Sequence, residues 1–142
     1  MAPFQVTFDA NDPARLAEFW AAALGYVVQP PPPGFDSWPE FLPAQGVPEE
    51  EHGAAAAIVD PEGKGPRVFI QRVPEAKAAK NRVHLDLGYG GGPRVPVDEQ
   101  RERVREAVRR LEALGATHVE DREGLGVAWA VMLDPEGNEF CA

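Results

Sequence analysis

Asp60-Pro61-Glu62-Gly63 and Asp134-Pro135-Glu136-Gly137 spell the same turn signal twice, each time after an apolar run and shortly before another. A second echo goes with the first: Ala23-Leu24-Gly25 and Ala113-Leu114-Gly115 each end an amphipathic run. Two matches at corresponding places mark an internal duplication, and a duplication fixes the architecture on which any site must be placed.

Upstream of the first turn, Phe4, Val6 and Phe8 alternate with Gln5, Thr7 and Asp9, the pattern of a half-buried strand over Phe4 to Ala10. Asp12 and Pro13 form a helix start, and Leu16, Phe19, Trp20, Ala23 and Leu24 recur at helical spacing up to Gly25. Strands are expected at Tyr26 to Gln29, Ala54 to Val59 and Arg67 to Val73, which makes residues 3–73 one β-α-β-β-β unit. Residues 82–142 repeat the order. Val83, Leu85 and Leu87 alternate with Arg82, His84 and Asp86 in a first strand, the apolar set packing under a helix. Asp98 is the expected cap of that helix, whose stripe is Val104, Ala107, Val108, Leu111 and Leu114. Strands at Thr117 to Glu120, Val127 to Leu133 and Asn138 to Ala142 complete the unit.

The copies differ in one respect. Gly25 to Asp60 is 35 positions, whereas Gly115 to Asp134 is 19, so the first copy carries an insertion within residues 30–53. It holds the prolines Pro30 to Pro33, the aromatics Phe35, Trp38 and Phe41, a short helix expected at Pro39 to Gln45, and the acidic run Glu49 to Glu51. Stiff prolines followed by aromatics suit a flap over a cavity, and equally a surface loop pinned by its own rings.

Composition narrows the function classes. A chain of 142 residues with 44% hydrophobic content fits one domain, 1–142, able to bury a core without a structural metal. Fourteen basic against 23 acidic residues give a net charge of −9, which argues against a nucleic-acid partner and permits a cationic ligand. The single cysteine, Cys141, excludes an internal disulfide. The N-terminal residues lack a basic segment followed by an apolar one, and no apolar run reaches membrane-spanning length. A cytoplasmic protein with no membrane partner is the expectation.

Five stretches together carry a resemblance: Phe8-Asp9-Ala10-Asn11-Asp12-Pro13, Gly34-Phe35-Asp36-Ser37-Trp38, Gln71-Arg72-Val73-Pro74-Glu75, Lys80-Asn81-Arg82-Val83-His84-Leu85-Asp86-Leu87 and Asp134-Pro135-Glu136-Gly137-Asn138-Glu139-Phe140. With the paired β-α-β-β-β units they resemble the glyoxalase-like domain proteins of the vicinal oxygen chelate superfamily, which includes glyoxalase I, extradiol dioxygenases and bleomycin-resistance proteins. The resemblance spans nearly the whole chain. It implies an α+β fold of two βαβββ modules in tandem, forming curled mixed sheets whose concave face takes ligands and metals, and it implies a homodimer.

In metal-dependent relatives the first and last strands of each unit each supply a ligand. By position the resemblance implies Gln5 and His84 from first strands, and Gln71 and Cys141 from last strands, with Glu139 two residues before the cysteine on the same strand face. His84 is the one ordinary strong ligand, and Cys141 stands where the family commonly has a glutamate. Such a set would take Zn, Ni, Mn or Fe. Without a metal, His84 beside Asp86 makes an acid/base pair, and the same histidine equally fits a hydrogen-bonded structural role. The candidate ligand-binding residues are Gln5, Thr7, Trp38, Gln71, His84 and Glu139, with Trp38 or Trp129 as stacking surfaces. Gly88 to Pro96 lacks the ending of a phosphate loop and reads as a connection or a rim loop. Lys77, Lys80 and Arg82 suit either a ligand anion or a salt bridge in the linker.

Two classes of function stand side by side. One is a small-molecule-binding protein that sequesters a cationic or aromatic compound. The other is a metal-dependent lyase, isomerase or dioxygenase of the glyoxalase type, acting on a substrate with adjacent oxygens.

Overall fold

Asp12 begins the first helix as its sequence demands. In the computed structural model, which describes residues 2–142, its carboxylate accepts a hydrogen bond from the Arg15 backbone N–H (3.1 Å), Pro13 stands in the first turn, and α1 (Pro13–Leu24) ends at Gly25 with φ 72°. The chain divides into two units, one reaching to Ala76 and the other starting at Lys77.

The first unit holds β1 (Val6–Ala10), α1, β2 (Val27–Val28), α2 (Trp38–Ala44), a 3-10 turn at Glu49–Glu51, β3 (Ala55–Val59) and β4 (Val68–Arg72). Its sheet runs β1-β4-β3-β2, with β1 parallel to β4 and the other pairs antiparallel. Register puts Val6, Phe8, Val68, Ile70 and Ile58 on one face and Thr7, Asp9, Phe69 and Gln71 on the other. The first face meets α1: Leu16, Trp20, Ile58, Val68 and Ile70 are all buried, and Phe8 stacks on Trp20 with ring centroids 5.3 Å apart. Asp60 closes the turn before β4 by accepting the backbone N–H groups of Glu62, Lys64 and Gly65 at 2.9, 2.9 and 2.7 Å.

The second unit holds α3 (Val97–Ala113), β5 (Thr117–Gly124), β6 (Val127–Leu133) and β7 (Glu139–Cys141) in a sheet of order β5-β6-β7. Beside β7 runs the segment Leu85 to Leu87. Leu87 N–H donates to the Cys141 carbonyl and Cys141 N–H to the Leu85 carbonyl, both at 2.9 Å, around a parallel bridge between Asp86 and Cys141. The order of elements is thus the same in both units. Ala128, Ala130, Met132 and Phe140 are buried on the sheet face toward Val104, Ala107 and Leu111 of α3.

Three expectations need correction. Residues 82–87 do not form a regular strand, because only Leu85 to Leu87 find a partner; Val83 is 80% exposed and Phe4 67%, so neither packs under a helix. Asp98 is not the cap of α3. The helix starts two residues earlier, at Val97 after Pro96, and Asp98 lies in the first turn, where its charge still favours the helix dipole and pairs with Arg101. Leu114 is 39% exposed, so the buried stripe ends at Leu111. The expected short helix in the insertion is α2, capped by Ser37, whose side chain accepts the Glu40 N–H.

Gln100, which no periodicity singles out, is completely buried and ties α3 to the sheet. Its amide donates to the carbonyls of Val95 (2.7 Å) and Gly126 (2.8 Å) and accepts the Ala128 N–H (3.0 Å). Glu139 ties the linker to β7: its carboxylate accepts the Asn81 N–H at 3.0 Å and pairs with Lys77 at 3.1 Å. Asn81 N–H foremost, then the residue's own N–H and Lys77, hold this carboxyl well below the usual range, at about 2. Among the described residues no helix is long and apolar enough to cross a membrane.

Replacing Gln100 with leucine leaves the buried Ala128 N–H unpaired and removes the donor to two carbonyls, and is expected to cost about 1–3 kcal/mol in urea unfolding. The two-residue turn Leu125-Gly126 has φ 52° and 74°, and a leucine is strained there; Leu125→Asn is expected to stabilise the protein by about 0.5–1 kcal/mol. Glu139 has a lowered folded-state pKa, so its contribution is fully present above about 4.5 and is lost as pH falls toward 2. Urea midpoints measured from pH 7 to pH 2 should fall more steeply for the parent than for Glu139→Gln, the two curves converging in acid.

Candidate functional site

Asp134 sets where β7 begins. Its buried carboxylate accepts the Glu136 and Asn138 N–H groups, both at 2.9 Å, and Gly137 takes φ 86° to close the turn. Ala130 and Ala142 then exchange backbone hydrogen bonds at 2.8 and 2.9 Å. That register places Cys141 opposite Val131, and therefore on the sheet face that Trp129 shares, away from α3. The parallel bridge pairs Asp86 with Cys141, beside that face.

On that face His84, Asp86 and Cys141 converge, each offering a ligand atom within 4.8 Å of the others. His84 Nδ1 lies 2.8 Å from Asp86 Oδ1. Cys141 is half-buried, and burial, followed by the Asp86 charge and a hydrogen bond to Asp86, pushes its thiol up to about 11. Next to this group is a cavity of about 360 Å³ lined by Asp86, Cys141, Trp129, Ala128 and the loop Gly88 to Gly92. At Gly90 a Cβ would stand 3.3 Å from the Ala128 carbonyl, a tight contact, so glycine suits the loop's close approach to β6.

Glu139 shares the strand parity of Cys141 but is not gathered with His84, because Lys77 and Asn81 take its carboxylate. Lys77 is thus a salt-bridge residue of the linker. Gln5, Thr7 and Gln71 lie in the first unit on its polar face. Gln71 donates to Asp9 at 2.8 Å, and Gln5 accepts from Arg67 at 2.9 Å. Trp38 also belongs to the first unit. Its indole N–H donates to the Gln29 carbonyl at 2.8 Å, its ring meets Phe41 edge-on at 5.6 Å, and it lines a cavity of about 400 Å³. The insertion is therefore both pinned by its own rings and a wall of a cavity.

Sequence reasoning found His84, Asp86, Cys141 and Trp129 but did not join the glycine loop to them. Glycine density was the available signal. Its meaning, close approach to β6, depends on a strand forty residues further on.

Comparison with known proteins agrees with this architecture. No curated protein matches the chain significantly. Among solved structures, a hypothetical protein from S. aureus is 18% identical with a TM-score of 0.59, over 99% of this chain and 95% of that one. A glyoxalase/bleomycin resistance protein/dioxygenase family enzyme from Burkholderia phytofirmans is 15% identical with a TM-score of 0.59, over 96% and 93%. A fosfomycin resistance protein from Listeria monocytogenes, solved with Mn(II) and dihydroxypropylphosphonic acid, is 12% identical with a TM-score of 0.60, over 99% and 88%. At such identities these likenesses speak to the fold. The family described as glyoxalase-like domain matches residues 5–142, and the chain belongs to that family.

Proposed function

We propose that this protein binds a small organic molecule in the cavity of its second unit, with the His84–Asp86 pair at the ligand's polar end and Trp129 against an aromatic or cationic part. The observation that carries this reading is the cavity of about 360 Å³ with Asp86, Cys141 and Trp129 together in its wall. Few polar groups in an otherwise apolar concavity fix a ligand's orientation, and a carboxylate beside an indole favours positive charge. The net charge of −9 points the same way. A cytoplasmic homodimer that arose by duplication of one βαβββ unit belongs to the same reading, the duplication being supported by the common order of elements.

A second reading has one observation in its favour, the convergence of His84, Asp86 and Cys141. Imidazole, carboxylate and thiolate suit a zinc ion, and Ni, Mn or Fe less well. These three residues would hold the ion, and the chemistry it supplies when bound is polarisation of a substrate's adjacent oxygens. The chain's own part would be to bind and orient: Trp129 and the glycine loop bound the space for the substrate, and Asp86 fixes the His84 ring. Lyase, isomerase or dioxygenase activity is the function class of this reading.

A thermal-shift screen of neutral and charged aromatic compounds tests the first reading. A ligand at 100 times its Kd stabilises by about 2.7 kcal/mol, and the shift should vanish in Trp129→Ala and shrink in His84→Ala; a screen in which no shift depends on either residue rejects it. Protein purified without chelator, then titrated with Zn, Mn, Ni or Fe, tests the second. One equivalent of metal, lost in both His84→Ala and Cys141→Ala, is its expected result, and no uptake by the parent removes it.

A further inference from the structure

We infer that the first unit carries a ligand site of its own, for a hydrophobic amine, between α1 and the insertion. The inference does not depend on the second unit's site. β2 pairs only with Ile58 and Val59, and Gln29 adds one bond to Ala57, so upstream of Ala57 that edge of β3 has no strand beside it. The insertion stands there instead, and a cavity of about 400 Å³ lies among it, α1 and β3. Its apolar wall is made by Ala17, Val28, Trp38, Leu42 and Phe69.

Two acidic residues line the same cavity, Glu18 from α1 and Glu51 from the 3-10 turn. Among the described residues neither has a hydrogen bond or ion pair through its side chain, in contrast to the paired glutamates along α3. Arg67 also lines the space, but its guanidinium is occupied. It donates to Gln29 Oε1 at 2.7 Å and to Gln5 Oε1 at 2.9 Å, and it lies over the Phe69 ring at 5.2 Å. The Trp38 ring is fixed in the wall by its bond to the Gln29 carbonyl and its contact with Phe41. An immobilised indole, apolar walls and two unpaired carboxylates are the recognition chemistry of an organic ammonium: the hydrocarbon fills the walls, and the cation meets the ring face and the carboxylates.

Isothermal titration of the full chain with phenethylamine, phenethyl alcohol and phenylacetate tests this. The amine should bind saturably and at least about fivefold more tightly than the neutral and anionic compounds, since two partly exposed charge pairs are worth roughly 1 kcal/mol together. Both glutamates are exposed, so a Glu18→Gln, Glu51→Gln double variant keeps the fold. It should lose the preference for the amine while binding the alcohol as the parent does. The inference is overturned by equal affinity for alcohol and amine, by no saturable heat with the amine, or by unaltered amine binding in the double variant.

Discussion

The acceptance of backbone N–H groups by a turn aspartate is the interaction on which each unit depends. In the second unit the buried Asp134 carboxylate closes a turn between β6 and β7, and the first residue of β7 follows immediately. A slip of one residue there would send Cys141 to the α3 side and Phe140 to the polar side, since side chains alternate along a strand. Asp60 does the same work ahead of β4, with three N–H groups on one carboxylate. These bonds hold that acid below its ordinary pKa, the Glu62 N–H contributing most.

Around this register the second unit separates its two faces. Ala128, Ala130, Met132 and Phe140 are buried toward α3, and the helix is tied to the β6 backbone by the one polar side chain it buries, Gln100. An amide serves there because it donates to two carbonyls and accepts from one N–H in the same place, which an apolar residue cannot do. The opposite face is left for Trp129, Cys141, Asp86 and His84, where Asp86, two residues along the chain, supplies the orienting bond to the histidine. Position on the sheet thus makes a functional group from residues that are individually unremarkable in the chain.

Much of the fold was legible in the sequence because its signals are local. Asp12-Pro13 and Gly25 bound α1, the alternation from Val127 to Leu133 matches β6 residue for residue, and the repeated turn located both last strands. Where the reading failed, the deciding partner was distant. Val83 and Phe4 have the right parity for burial, yet no helix side chain covers them, and alternation cannot report what lies opposite. Asp98 looks like a cap, but the backbone turns into the helix after Pro96.

The candidate site divides in the same way. By itself the sequence determined two βαβββ patterns, the insertion between residues 30 and 53, and His84, Asp86 and Cys141 as chemically capable residues, since composition, spacing and parity need only near neighbours. Tertiary structure alone decided that Glu139 is spent on Lys77 and Asn81 and that Gln100 is buried. It also decided that Gly90 lies on β6 and that Glu18 and Glu51 share a cavity with Trp38. Each of these depends on which groups come within a few ångströms of one another, a matter settled by pairing across tens of residues.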